Sequence, residues 1–169
     1  MLKKAGLMSM ALLLVFYVGA ASAVEVKCLD QDFIRGKGKP TEVSKFFPGV
    51  EGPAKLIVQV NQNDRKGLRI ARARIVVNGE IFFHAIQFNR WTGHLEKEIV
   101  LLEGDNEIEV IVFGKPGRKI HVSVIQDVKA DAAAVVGPEG GVVEGGGIKI
   151  EIPEGALIKN ELITIKEVD

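Results

Sequence analysis

Ile75-Val76-Val77-Asn78-Gly79-Glu80-Ile81-Phe82-Phe83 sets an Asn-Gly pair between two apolar, β-type runs. Both residues of that pair tolerate the positive φ that a two-residue hairpin turn requires, so the stretch predicts two antiparallel strands joined tightly. Moving outward, the pattern recurs. Leu56-Ile57-Val58-Gln59-Val60 lies between Gly52-Pro53 and the polar run Asn61-Gln62-Asn63-Asp64. Glu98-Ile99-Val100-Leu101-Leu102 and Glu107-Ile108-Glu109-Val110-Ile111-Val112-Phe113 flank the turn Glu103-Gly104-Asp105-Asn106, a second hairpin. After Gly114-Lys115-Pro116-Gly117, the run Lys119-Ile120-His121-Val122-Ser123-Val124 alternates polar with apolar, which puts Ile120, Val122 and Val124 on a core face. Short strands at roughly ten-residue spacing predict an all-β chain. The expected architecture is an antiparallel β-sandwich, immunoglobulin-like or jelly-roll-like, over residues 24–128.

Before it, Lys3-Lys4, the apolar run Ala11 to Val18 and the small residues Ala21-Ser22-Ala23 have the layout of a secretory signal peptide over residues 1–23. Cleavage after Ala23 would leave no membrane span. An uncleaved anchor is the alternative, since roughly 20 apolar residues cross a bilayer. The expected location is secreted, periplasmic or at the cell surface. A lipid anchor on Cys28 is disfavoured by the preceding Glu25, Val26 and Lys27. One cysteine forms no internal disulfide, so Cys28 is either a small buried hydrophobe or an intermolecular link.

Without residues 1–23, the 22 Lys and Arg fall by Lys3 and Lys4 to 20, against 22 Asp and Glu, a formal charge of −2. No net basic excess points to nucleic acid. Arg69, Arg72 and Arg74 in one short run read as the solvated face of a strand.

Composition changes after residue 128. Residues 129–136, with Ala130-Asp131-Ala132-Ala133-Ala134, read as a linker, extended or briefly helical. In residues 137–169, Ile148, Ile150 and Ile152 fall on one face of a strand that Pro153 stops. Two or three strands hold no core alone. The segment must therefore pack on the first domain, pair with another copy or a protein partner, or begin a further domain.

Gly137-Pro138-Glu139-Gly140-Gly141, Ile150-Glu151-Ile152-Pro153-Glu154-Gly155-Ala156-Leu157 and Ile163-Thr164-Ile165 resemble the opening strands of the ZU-five β-sandwich of ankyrins, netrin receptors and zonula occludens protein. The matching residues are structural, so the resemblance implies a partial fold and no binding residue. Ala73-x-Ile75-x-x-Asn78-Gly79, Leu102-x-x-Gly104-x-Asn106-x-Ile108-x-Val110 and Gly114-x-Pro116-Gly117 resemble sandwich modules at the N-termini of bacterial envelope and secreted proteins. That likeness implies an accessory module without activity.

The chemistry-bearing residues point the same way. His84, His94 and His121 match no ligand spacing, so no metal or other cofactor is expected. Glu96, Glu98, Glu107 and Glu109 read as solvated strand faces, and none of Ser9, Ser22, Ser44 and Ser123 sits in an activating motif. The expected function is a non-catalytic, exported structural or protein-interaction module. The alternative is a carbohydrate-binding module in which Trp91, with Phe83, Asn89 and Arg90, meets a sugar.

Overall fold

The computed structural model describes residues 23–40, 42–60, 71–89 and 92–167. The segment read as a signal peptide lies outside them, apart from Ala23. Eight strands build the main body: β1 (Ala23–Ile34), β2 (Glu42–Gly49), β3 (Gly52–Val60), β4 (Arg72–Val77), β5 (Glu80–Phe83), β6 (His94–Leu101), β7 (Gly104–Phe113) and β8 (Lys119–Lys129). Antiparallel pairing joins β4 to β5, β3 to β6, β2 to β7 and β1 to β8. The chain is one long hairpin with Asn78-Gly79 at its tip, rolled so that successive pairs alternate between two sheets. The sheet orders β1-β8-β3-β6 and β2-β7-β4-β5 are those of a jelly roll, one of the two sandwich types the sequence left open.

Period-two alternation drives the packing. Leu56 and Val58 of β3, Ile75 of β4, Ile108 and Val110 of β7 and Ile120, Val122 and Val124 of β8 are fully buried between the sheets. Cys28 is buried there too. Its thiol lies against the Val26 carbonyl and the Gln126 amide oxygen, which answers the two readings of this residue in favour of a core hydrophobe.

The turns behave as their residues dictate. Asn78 and Gly79 take φ of 50° and 81°, the pair of positive values that matches a tight turn to strand twist. Beside them, fully buried Asn106 fastens the neighbouring turn. Its Nδ2 donates to the carbonyls of Leu102 and Gly104, and its Oδ1 accepts from the Leu102 N–H and from Asn78 Nδ2, at 2.8–3.1 Å.

The stretch read as a linker carries a strand, which corrects that expectation. β9 (Ala132–Val136) pairs with β12 (Glu161–Ile165), and β10 (Gly141–Gly145) pairs with β11 (Ile148–Ile152). Small residues that suggested a flexible connection instead let two layers approach closely. Ala133, Val135 and Leu162 pack against the main core. Ala132, Val136, Val143 and Ile165 form a second small core toward the β10–β11 hairpin. Of the three fates open to this segment, the structure shows packing on the first domain. Val142, Ile148 and Ile150 stay exposed on the hairpin.

Candidate functional site

The rolled hairpin makes the two ends of the sandwich unlike. At one end the connections within the eight-strand body, and the one leading out of it, are two residues each: Val50-Glu51, Asn78-Gly79, Leu102-Glu103 and Ala130-Asp131. The β11–β12 connection reaches the same end through Lys159, which pairs with Asp105. At the other end lie the strand ends that flank the longer intervals 35–41, 61–71, 84–93 and 114–118. Strand register fixes this grouping, because Ile34 pairs with Lys119, Val60 with Ile120, Gln59 with His94 and Arg72 with Phe113. Long connections on a rigid scaffold are where binding groups concentrate.

Of the residues expected to meet a sugar, Trp91 and Arg90 lie outside the described residues. Asn89 is exposed at the loop end, and its N–H donates to Thr92 Oγ1 at 3.0 Å. Phe83 does not join it. Its ring is 1% exposed, meets Phe88 edge-on at a centroid distance of 6.4 Å and lies under the Lys97 ammonium. Phe83 is thus a core residue, which corrects its assignment as a stacking surface. The alternation of β5 turns it inward, toward Ile75 across the strand pair.

The same end gathers cations that the sequence scatters. Arg35, Lys37 and Lys39 sit on the connection after β1, and Lys115 and Arg118 on the one before β8. The Arg35 N–H donates to the Arg118 carbonyl at 2.6 Å and the Gly117 N–H to the Arg35 carbonyl at 2.7 Å, so the two connections run side by side. Arg35 is 7% exposed, and its guanidinium folds back to donate to the carbonyls of Gly36 and Gly38. Its Nε is buried and, among the described residues, unpartnered. Arg72 opens β4 at this end, exposed. Nothing in the sequence marked the group, because Arg35 and Arg118 meet only through the β1–β8 pairing.

A polar ladder lies on the outer face of the β1–β8 pair. His121 sits between two carboxylates, with Nε2 at 2.9 Å from Asp30 and Nδ1 at 3.0 Å from Asp32. Ser123 Oγ donates to Asp30 at 2.7 Å and Lys119 Nζ to Asp32 at 2.6 Å. The hydrogen bond from Ser123 holds the Asp30 carboxyl below the ordinary carboxylate range, and the one from Lys119 does so for Asp32. The Ser123 hydroxyl is turned to a carboxylate rather than to an imidazole, so the ladder offers no nucleophile–base pair. His94 pairs instead with Glu96 on β6. Among the described residues, no group of His, Cys, Asp and Glu is arranged to hold a metal. Glu96 and Glu98 lie on the outer face of one sheet and Glu107 and Glu109 on that of the other.

No protein-family model matches the sequence, and no curated protein does either. The likeness of residues 137–169 to ZU-five strands therefore rests on the quoted residues alone. Among solved structures, a family 35 carbohydrate binding module from Clostridium thermocellum is 16% identical, over 64% of this chain and 100% of that one, with a TM-score of 0.37. A family 35 module from an environmental isolate is 15% identical, over 75% of this chain and 91% of that one, with a TM-score of 0.33. Dimeric latent PorU from Porphyromonas gingivalis is 12% identical, over 89% of this chain but 19% of that one, with a TM-score of 0.32. Similarity at this distance assigns no ligand or partner to this chain.

Proposed function

We propose that this chain is a non-catalytic binding module of the cell envelope or extracellular space, and that it meets its ligand at the loop end of the jelly roll. The observation that carries this reading is the asymmetry of the eight-strand body: its hairpin turns at one end are two residues each, and the strand ends flanking its longer intervals gather at the other. A scaffold that merely needed closing would use tight turns at both. The non-catalytic part is supported by the polar ladder, whose carboxylates are already hydrogen-bonded to Ser123, His121 and Lys119. The signal-like N-terminus supports the location.

A carbohydrate ligand is the second reading, favoured by exposed Asn89 beside the position of Trp91 in the sequence. Trp91 is the sole tryptophan, so its emission reports on the connection between β5 and β6. Titration with a panel of polysaccharides and anionic surfaces should change that emission saturably. Binding registered by calorimetry with no response of Trp91, and lost in an Asp30→Asn variant, would put the site on the outer sheet instead.

A further inference from the structure

The formal charge of the whole chain is zero, yet the rolled topology sorts charge by end. Residues 33–41 and 113–118 contain Arg35, Lys37, Lys39, Lys115 and Arg118 and no Asp or Glu. The two-residue turns and their flanks at the opposite end carry Glu51, Glu80, Glu103, Asp105 and Asp131 against Lys129, with Asp105 paired to Lys159, so the balance there is acidic. Lys119 is matched by Asp32. Lys37, Lys39 and Lys115 are exposed and have no carboxylate partner among the described residues. Such a separation orients the molecule in the field of a negatively charged surface and raises its encounter rate with one.

Apolar groups stand at the same end. Ile86, on the 3-10 turn Ala85–Gln87, is 86% exposed, and Ile34, the last residue of β1, is 62% exposed. A hydrated polyanion has no use for bare isoleucines beside its cations. A lipid interface takes both, with headgroups meeting the lysines and acyl chains the aliphatic tips. The cation-bearing connections rise from β1–β2 and β7–β8, while Ile86 rises from β5–β6 across the width of the sheets. That spread suits a broad surface better than a small ligand.

We propose that the loop end docks reversibly on an anionic lipid surface, through Lys37, Lys39 and Lys115 with Ile34 and Ile86. The proposal rests on the loop end being the binding end and names the ligand class there.

Vesicles of phosphatidylglycerol with phosphatidylcholine, and of phosphatidylcholine alone, test it by co-sedimentation. The protein used is residues 23–169, which hold every described strand and both cores and omit the apolar run that would itself bind lipid. Binding is expected on the anionic vesicles only, weakening as salt rises. Each cation near such a surface contributes roughly five-fold, so Lys37→Gln, Lys39→Gln and Lys115→Gln together should weaken partitioning roughly 100-fold. All three side chains are exposed, so the melting temperature should not move. Ile86→Ser should weaken partitioning several-fold and leave its salt dependence unchanged. Equal binding to neutral vesicles, or full binding by the triple variant, would overturn the proposal. Binding to a soluble anionic polysaccharide such as alginate, with a Trp91 response but none to vesicles, would also overturn it while leaving the loop end as the site.

Discussion

Replacing Asn106 by alanine should cost this fold more than any other change to a polar residue near its turns. The side chain is fully buried and makes four hydrogen bonds, to Leu102 N, Leu102 O, Gly104 O and Asn78 Nδ2. Alanine leaves the Leu102 and Gly104 groups without the partner that Asn106 supplies. At about 0.5–1.5 kcal/mol for each bond, and allowing for some hydration of the outer turn, the loss is about 2–4 kcal/mol. For a domain of this size that lowers the melting temperature by about 10 °C. Thermal and urea denaturation of the two proteins measure it directly. Asn78→Gly supplies a second arm, since glycine keeps the positive φ but removes the bonds that Asn78 makes to Asn106 and the Glu107 N–H. The double variant should show a coupling of about 1 kcal/mol between the two sites. A change below about 0.5 kcal/mol for Asn106→Ala would refute the reasoning, because water would then be serving those groups as well as the amide does.

Gly79→Val should destabilise by about 1–3 kcal/mol, because a β-branched residue is strained at φ 81°; equal stability in urea would mean the turn rearranges freely. Burial pushes the Cys28 thiol from 9.0 up to about 11. The neutral thiol is thus favoured in the fold, and its contribution of about 2–3 kcal/mol should be complete below pH 9 and vanish as pH rises through about 11. A Cys28→Ala comparison across that range checks the slope, and a thiol reagent should react only on unfolding. Truncation after Lys129 removes Ala133, Val135 and Leu162 from the main core, so the shortened protein should melt several degrees lower. An unchanged melt would show the tail resting on the surface without supporting it.

Much of the sandwich was legible because its strands follow simple periods. Ile120, Val122 and Val124 alternate cleanly, and Asn78-Gly79 announces its turn. β1 was not legible as a single strand. A bulge between Lys27 and Leu29 shifts the register, so Val26 and Cys28 point inward and then Leu29 and Phe33 do, breaking the alternation in mid-strand. The strand β9 was hidden for another reason. Ala132-Ala133-Ala134 has little β-propensity, and its extended form is imposed by pairing with β12 and by packing on both faces. For the site, the sequence pointed to the aromatic segment around Trp91 and grouped Phe83 with it as a candidate contact, although two adjacent phenylalanines on a strand must face opposite ways and one of them joins the core. The loop cations escaped notice because their grouping depends on β1 lying beside β8, a pairing between opposite ends of the body that no local pattern reveals.

Amide chemical-shift mapping on residues 23–169, titrated with small anionic bicelles, tests most directly whether the loop end is where this protein binds. Shifts and broadening should gather at Gly36, Gly38, Asn89, Gly114 and Gly117, and leave Glu51, Asn78 and Glu103 at the opposite end untouched. Perturbations centred on Asp30, His121 and Ser123, or on the β10–β11 hairpin, would contradict the account.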